Sequence, residues 1–234
     1  MPRKVIFFDI DGTLLNSGGA GQRAMEMAIT CSLGIDQPFD GILTAGRTDR
    51  GIVQEIFGRH QVEDTEQNRD RFRDGYLSWL PRSLTESPGL LLPGIPTLLD
   101  GLEQAEDIEL SLLTGNYREG ASIKLQQYNL ESRFTAGGFG DDEPDRDDVA
   151  RAALASVQEF VPGIKGADTM VIGDTPADIR CARAIGAIAV GVATGHYSYQ
   201  VLRESAPDLL FDDFSASDSC SRLLDAFRKV QSVS

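Results

Sequence analysis

The N-terminal region joins an apolar run to two acidic residues, and this combination restricts the fold more than any other feature. Residues 4–8 read KVIFF, which is typical of a strand buried on both faces of a parallel sheet. Asp9 and Asp11 follow, and Gly12 permits a sharp turn because it lacks a Cβ atom. Ligands of open α/β sheets bind at the carboxyl ends of strands. Because paired carboxylates repel each other, the sequence favours a divalent metal ion at this edge.

Strands and helices alternate in the rest of the chain, apart from one long segment. The pattern predicts further strands at 108–113, 135–140, 169–172, 187–192 and 208–211, with helices between them. This alternation implies a parallel sheet with right-handed crossovers. The segment between the first strand and residue 88 shows only helical patterns, at 20–33, 48–57 and 64–84. We therefore predict an α/β core from residues 1–16 and 89–234, and an all-helical insertion at 17–88.

The charge balance argues against some classes of partner. Lys and Arg total 22 and Asp and Glu total 36, so the net charge is −14. Nucleic acids and anionic membranes require basic surfaces, so neither is expected as a partner. A small phosphorylated metabolite requires only a local cluster of cationic groups, so it remains a possible partner.

The three cysteines are widely separated, which favours reduced thiols and a cytoplasmic location. The sequence is compatible with a monomer or a homodimer.

Three of the predicted strands end in residues that suit phosphoryl transfer. Asp9 and Asp11 follow the first strand, Thr114 follows the second, and Asp174 follows the strand at 169–172. In a parallel sheet these ends meet at one edge. Carboxylates supply hard oxygen ligands for a metal ion, and a strand-to-helix turn supplies N–H groups for a phosphate. The sequence therefore predicts a metal-assisted phosphoryl-transfer site at this edge.

The order of these motifs resembles that of the haloacid dehalogenase-like (HAD) superfamily, in its phosphatase branch with a helical cap. The similar segments span nearly the whole chain; they are DIDGT at 9–13, GRTD at 46–49, LPG at 92–94, TGN at 114–116, GDTPAD at 173–178 and ATG at 193–195. The resemblance implies a Rossmann-like three-layer αβα core in which the insertion forms a cap over the active site. Within this superfamily, the chain resembles the phosphoglycolate phosphatases.

The resemblance implies a role for each acidic residue of these motifs. Asp9 would be the nucleophile that forms an aspartyl-phosphate. Asp11 would protonate the leaving alcohol and then deprotonate the attacking water. Mg²⁺ would be held by Asp9, the backbone carbonyl of Asp11 and Asp174, and Asp178 would support these ligands from behind.

The resemblance also assigns the phosphate-binding residues. Thr114 and the N–H groups of Gly115 and Asn116 would bind the transferring phosphate. Family members usually carry a lysine upstream of the Asp174 strand, where this chain has EPDRDD at 143–148. Arg146 is therefore the predicted substitute. Lys124 is not expected at the site, because about ten residues of helix would place it roughly 15 Å from Thr114.

Arg47, in the predicted cap, is a candidate for substrate binding. The alternative is that it forms an ion pair with Asp49 or Asp40.

The predicted function is a magnesium-dependent phosphatase of a small phosphomonoester, such as a phosphoglycolate-like compound or a sugar phosphate. A phosphomutase similar to β-phosphoglucomutase is the main alternative, because it carries the same motifs. A 2-haloacid dehalogenase is disfavoured by Asp11, since such enzymes usually lack an acid two residues after the nucleophile. A non-catalytic, receiver-like phosphate-binding domain is disfavoured by the length of the chain and by the helical insertion.

Overall fold

Six parallel strands form the central sheet of the computed structural model, which describes residues 3–36, 38–39 and 41–231. The strands of the described chain are β1 (Lys4–Phe8), β2 (Leu15–Asn16), β3 (Leu90–Leu91), β4 (Ile108–Leu113), β5 (Gly137–Gly138), β6 (Thr169–Gly173), β7 (Ile188–Val192) and β8 (Leu209–Phe211). The order in the central sheet is β5-β4-β1-β6-β7-β8, so β1 lies between β4 and β6. The predicted α/β fold is confirmed.

Helices cover both faces of the sheet. The helices are α1 (Ala20–Leu33), α2 (Asp49–Arg59), α3 (Glu66–Glu86), α4 (Ile95–Glu103), α5 (Arg118–Gln127), α6 (Arg146–Gln158), α7 (Pro176–Ile185), α8 (Tyr199–Glu204) and α9 (Ser219–Gln231). Helices α4, α5 and α9 contribute buried side chains to the cluster on one face, and α6, α7 and α8 contribute to the cluster on the other. The core is therefore a three-layer αβα arrangement.

Strand β1 shows why the first apolar run must lie inside the molecule. Ile6 and Phe8 belong to the apolar cluster on one face of the sheet, whereas Val5 and Phe7 belong to the cluster on the other. Alternate side chains of a strand point to opposite faces, so a strand covered on both sides is apolar at each position. Burial of each of these side chains contributes roughly 1.5–3 kcal/mol to the stability of the folded state. The position of Asp9 is fixed by this packing.

The predicted strand at 135–140 is shorter in the structure. Only Gly137–Gly138 pair in register with Leu112–Leu113 of β4. Glycine has no side chain to pack against its neighbours, which weakens a strand interior, and β5 lies at the sheet edge.

Helices α1, α2 and α3 share an apolar cluster of their own. Ala24, Ile52, Phe57 and Phe72 are among its buried members, and Tyr117 joins them from the loop that precedes α5. Thr48 caps α2 by accepting a hydrogen bond from the N–H of Gly51. Within the described residues, no helix has the length and apolar character needed to cross a membrane.

The chain enters and leaves this group of helices at one place. Strand β2 pairs antiparallel with β3, which joins Leu15 to Leu91 and Asn16 to Leu90. The three helices between these strands are thus attached to the sheet through a two-stranded ribbon. This ribbon lies directly after the Asp9–Asp11 segment, so the helices begin next to the acidic edge.

We expect Leu99→Ala to lower the free energy of unfolding by about 2–5 kcal/mol, because it removes apolar contacts and leaves a cavity. Leu99 is fully buried in α4, whereas Leu43 is 52% exposed and serves as a matched control. Leu43→Ala should change stability by less than about 0.5 kcal/mol. Urea unfolding followed by circular dichroism measures both, and equal losses in the two variants would contradict the assigned core.

Candidate active site

The carboxyl ends of three adjacent strands bring the predicted residues together. Asp9 follows β1, Thr114 follows β4 and Asp174 follows β6, and these strands are neighbours in the sheet. A cavity of about 450 Å³ lies over this edge. The predicted residues that line it are Asp9, Asp11, Arg47, Gly115, Asn116, Arg146 and Asp174.

A buried acidic cluster lies on one side of the cavity floor. Carboxylate oxygens of Asp9, Asp174 and Asp178 all lie within 4.8 Å of one another, and all three residues are buried. Burial and the neighbouring carboxylates raise the pKa of Asp9 and of Asp174 well above the usual range, although Arg146 lowers both. A hard divalent cation relieves such repulsion, so these oxygen donors fit a metal ion.

Two glycines keep space beside Asp174. A Cβ atom at Gly12 would lie 2.5 Å from Asp174 Oδ2, and one at Gly195 would lie 1.7 Å from the same oxygen. Gly12 also has a φ of 82°, which disfavours other residues. A side chain at either position would clash with the Asp174 carboxylate, so the backbone of Gly12 and Gly195 can lie directly against it.

Asp178 is held by the start of helix α7. Its Oδ2 accepts hydrogen bonds from the Thr175 N–H at 3.0 Å and the Thr175 hydroxyl at 2.7 Å, and the two residues form a capping box. Its Oδ1 forms an ion pair with Arg146. Asp178 thereby fixes Arg146 next to the nucleophile position, and its predicted role behind the metal ligands stays a prediction.

Arg146 lies between the acids, at the position predicted for the family's basic residue. Its Nη2 is 3.6 Å from Asp9 Oδ1, and the side chain is almost fully buried at the first turn of α6. Burial opposes its charge, but Asp178 and Asp9 outweigh this and raise its pKa, so it stays cationic. Its Nε is buried and has no hydrogen-bond partner within the described residues.

Lys124 lies at the site, and the prediction that excluded it is wrong. Its Nζ donates to Asp11 Oδ2 and to Asn116 Oδ1, both at 2.6 Å, and the residue is only 3% exposed. Helix α5 begins at Arg118, so Lys124 is six residues, or about 9 Å, into the helix. Its long side chain leans back towards the helix N-terminus. The rise of the helix alone therefore overestimated the distance from the Lys124 ammonium group to the site.

Asp11 has an environment opposite to that of Asp9. Burial alone would raise its pKa, but the charge of Lys124 and hydrogen bonds from Lys124, Asn116 and Ser17 lower it below the usual value. Its side chain is 40% exposed, which leaves it open to the cavity. Although Asp9 and Asp11 are only two residues apart, the pKa of Asp9 is raised and that of Asp11 is lowered.

The predicted phosphate-binding turn is only partly exposed to the cavity. Gly115 and Asn116 line it, but Thr114 is fully buried and does not. The Thr114 hydroxyl accepts hydrogen bonds from the Asn116 N–H at 3.3 Å and from Asn116 Nδ2 at 2.7 Å. Asn116 Nδ2 also donates to Asp11 Oδ2 at 2.9 Å. In this structure Thr114 orients Asn116, and direct contact with phosphate stays a prediction.

Arg47 lines the cavity from the loop before α2, but its guanidinium is paired with groups of that helix. It forms an ion pair with Glu55 and donates to the carbonyl of Gly51 at 2.9 Å. The expected alternative pairing with Asp49 is absent among the described residues, and Asp40 lies outside them. Asp49 instead accepts a hydrogen bond from the Tyr117 N–H at 2.8 Å.

The N-terminus of α2 rests on the core beside the acidic edge. The N–H of Asp49 donates to the Gly115 carbonyl at 2.7 Å, and the N–H of Arg50 donates to the Gly140 carbonyl at 3.3 Å. The Thr48 hydroxyl donates to the Pro144 carbonyl at 3.1 Å. These bonds hold the helical insertion over the cavity.

Several cavity residues come from the insertion and were missed by the sequence analysis. They are Gln22 and Met25 of α1, Asp49 and Ile52 of α2, and Tyr76 of α3. The sequence predicts only that Asp49 and Tyr76 belong to helical segments of the insertion. No motif marks such residues, because their position depends on how the helices dock.

Comparison with known proteins identifies the family. The sequence pattern of the haloacid dehalogenase-like hydrolases matches residues 6–183. The chain belongs to this family. This confirms the resemblance and the prediction of a hydrolase.

Individual relatives are distant but match along nearly their whole length. Phosphoglycolate phosphatase of Salmonella typhimurium is 22% identical over 231 residues, covering 90% of this chain and 89% of that protein. The corresponding Escherichia coli O157:H7 enzyme is 23% identical with the same coverage.

Solved structures with the same fold include enzymes with different names. One is described as a predicted phosphoglycolate phosphatase from Haemophilus somnus; it has a TM-score of 0.70 and 22% identity, and 95% of this chain and 99% of that one are covered. Another is β-phosphoglucomutase from Clostridium difficile, with a TM-score of 0.72 and 16% identity; 99% of this chain and 100% of that one are covered. At these identities the likeness shows the fold alone.

We expect Lys124→Met to destabilise the protein at pH 7 through loss of its bond to Asp11. A double-mutant cycle with Asp11→Asn should give a coupling of about 1 kcal/mol, since Asp11 is partly exposed. Because the folded-state pKa of Asp11 is lowered, its stabilisation is present above the unfolded pKa of about 3.9 and is lost as the pH falls through the folded value. Urea unfolding at pH 7 and pH 2 measures the coupling.

The exposed Lys165→Met serves as the matched control for this cycle. It should show no coupling to Asp11→Asn at either pH. A coupling between Lys124 and Asp11 that persists unchanged at pH 2 would contradict the charge pairing.

Proposed function

We propose that this protein is a magnesium-dependent phosphatase that hydrolyses a small phosphomonoester through a phosphorylated Asp9. The observation that carries the proposal is the setting of Asp9. It is buried at the cavity floor, with Arg146 3.6 Å away and the Asp174 and Asp178 carboxylates close by. One carboxylate thus lies between a fixed cation and carboxylate oxygens that could bind a metal ion, which supports a role in attack on a phosphate.

The first half-reaction transfers the phosphoryl group to the enzyme. An Asp9 carboxylate oxygen forms a bond to phosphorus while the bond from phosphorus to the alcohol oxygen breaks. Asp11 donates a proton to the departing oxygen. Lys124 keeps Asp11 ionised in the structure, but the negative charge of a bound phosphate raises the pKa of a nearby carboxyl. Substrate binding therefore favours proton uptake by Asp11.

The second half-reaction restores the enzyme. Asp11, now ionised, removes a proton from a water molecule, whose oxygen attacks phosphorus and releases Asp9 and inorganic phosphate. The lowered pKa of Asp11 keeps this carboxyl ionised, and therefore able to accept the proton. Arg146 remains paired with Asp178 and keeps its cationic group beside the phosphoryl position throughout.

A magnesium ion would be held by the carboxylates of Asp9 and Asp174, and we expect the Asp11 carbonyl to join them. When bound, it neutralises negative charge on the phosphoryl oxygens. The raised pKa values of Asp9 and Asp174 support this assignment, because they mark carboxylates that lack sufficient positive charge nearby. Asp178 is already engaged by Thr175 and Arg146.

The named relatives support hydrolysis of a phosphomonoester. Curated proteins that match along 90% of the chain are phosphoglycolate phosphatases. The substrate of this chain is proposed as a small phosphorylated metabolite, since the cavity is about 450 Å³ and is covered by the insertion. The net charge of −14 supports neither a nucleic-acid nor a membrane partner. The free cysteines favour a cytoplasmic location.

Asp9→Asn should reduce phosphate release from p-nitrophenyl phosphate at least about a thousand-fold, because the amide cannot act as the nucleophile. The assay contains Mg²⁺, and near-ultraviolet circular dichroism checks folding. The exposed Asp142→Asn is the matched control and should keep wild-type activity. Turnover that survives in Asp9→Asn would rule out the covalent route.

A broad panel of phosphomonoesters separates the alternatives for the wild-type protein. Release of inorganic phosphate supports the phosphatase. Isomerisation of a sugar phosphate without phosphate release would favour the phosphomutase instead. A folded protein that acts on no member of the panel would overturn the proposal.

Asp174→Asn should weaken binding of Mn²⁺, used as a paramagnetic substitute for Mg²⁺, at least about tenfold. Removing one carboxylate charge lowers the attraction for the cation, and electron paramagnetic resonance measures the free ion directly. Asp142→Asn again serves as the control. Equal affinities in wild type and Asp174→Asn would contradict the proposed metal site.

A further inference from the structure

The insertion supplies the wall of the cavity that faces the acidic edge. Its contribution consists of polar and apolar side chains from three helices and one loop; the main ones are Gln22, Met25, Arg47, Asp49, Ile52 and Tyr76. The phosphate of a substrate is directed to the acidic edge by Arg146 and the strand ends. The remaining part of the substrate must therefore lie against this wall.

Tyr76 presents a hydroxyl group that the protein leaves unsatisfied. The residue is 0% exposed and lines the cavity, and its Oη has no hydrogen-bond partner within the described residues. The ring is fixed by stacking on Phe72 at 6.2 Å and by contact with Tyr117 at 6.1 Å between centroids. A buried hydroxyl without a partner is costly, so a fixed one beside a cavity indicates a ligand group that bonds to it.

Asp49 adds an acceptor to the same wall. Its Oδ2 accepts the Tyr117 N–H, and no ion pair to it occurs within the described residues. Burial raises its pKa to about 7, although Lys124 and the Tyr117 N–H lower it. Asp11, Asp49 and Tyr76 all line the same cavity. Burial raises the pKa of the Tyr76 hydroxyl, and the negative charges of Asp49 and Asp11 raise it further.

The cation on this wall is not available to a second anionic group. Arg47 forms its ion pair with Glu55 and donates to two carbonyl groups of the insertion, those of Leu43 and Gly51. Lys124, whose charge also acts on Asp49, is already paired with Asp11. Among the described residues, a carboxylate on the substrate would thus face Asp49 with both of these cations already engaged. A neutral hydroxyl group can instead donate to Asp49 and accept from Tyr76.

We propose that Tyr76 and Asp49 form a hydroxyl-binding subsite, so that the substrate is the phosphate ester of a neutral polyhydroxy compound, a sugar or polyol, and not of a hydroxy acid. This inference rests on the proposed phosphatase function and specifies its substrate class. It differs from what the names of the curated relatives would suggest, because phosphoglycolate carries a carboxylate.

Four probes test the subsite with the wild-type protein and Mg²⁺. They are glycerol 3-phosphate, 2-phosphoglycolate, phosphoethanolamine and phenyl phosphate, which carry hydroxyl, carboxylate, ammonium and no polar group respectively. We expect kcat/KM for glycerol 3-phosphate to exceed that for 2-phosphoglycolate at least tenfold. Equal values, or a preference for 2-phosphoglycolate or phosphoethanolamine, would overturn the subsite. Phenyl phosphate hydrolysis tests the phosphatase function separately.

Variants test the two residues by a change in the ratio of kcat/KM for glycerol 3-phosphate to that for phenyl phosphate. Tyr76→Phe should lower this ratio about three- to tenfold, and Asp49→Asn about tenfold. Asp49→Asn keeps an oxygen for the Tyr117 N–H. Above pH 7, where the Asp49 carboxyl is ionised, this variant should raise relative activity on 2-phosphoglycolate because it removes a repulsive charge. A purely structural role of Asp49 would not produce that gain.

Tyr199→Phe is the matched control, because Tyr199 is exposed on α8 and lies outside the cavity lining. It should leave every ratio unchanged. Unaltered ratios in both Tyr76→Phe and Asp49→Asn would overturn the assignment of these residues.

Binding decides the subsite even if the protein turns over none of the probes. Calorimetry with the Asp9→Asn variant and Mg²⁺ compares glycerol 3-phosphate with 2-phosphoglycolate. At least tenfold tighter binding of glycerol 3-phosphate supports the subsite, and equal or weaker binding overturns it. The absence of turnover in wild type would then count against the phosphatase function alone.

Discussion

The structure depends on supplying each of two nearby carboxylates with its own buried cation. Asp9 lies 3.6 Å from Arg146, and Asp11 is bonded to Lys124 at 2.6 Å. Without these partners, acids two residues apart in a buried site would repel each other and would have to stay protonated. The arrangement gives the acids opposite pKa shifts, raised for Asp9 and lowered for Asp11. Two identical carboxyl groups thus acquire different affinities for protons because their surroundings differ.

The two cations reach the site from opposite faces of the sheet. Lys124 lies on α5, which packs on one face, and Arg146 lies on α6, which packs on the other. The acids lie at the end of β1, between the two layers. The three-layer fold therefore does more than bury apolar surface, since it delivers a positive charge to the same edge from each side.

The helical insertion completes the site by hydrogen bonding to the same loops. Asp49 donates through its N–H to Gly115 and accepts through its carboxylate from Tyr117. These contacts bring α2 and α3 over the acidic edge, which is how Tyr76 comes to line the cavity. Asp49 thus both attaches the insertion to the core and lines the cavity. The position of the insertion and the shape of the space for a substrate therefore depend on the same residue.

The sequence by itself determined the α/β class, the strand ends and the acids placed on them. These features follow from local periodicity and from the rule that parallel strands end at one edge. The sequence alone therefore predicts that Asp9, Asp11 and Asp174 lie together at that edge. Only the tertiary structure decided that Lys124 reaches Asp11, that Thr114 turns towards Asn116, and that Asp49 and Tyr76 line the cavity. Such contacts depend on the direction of long side chains and on helix docking between residues far apart in the chain. Local sequence patterns carry no information on either.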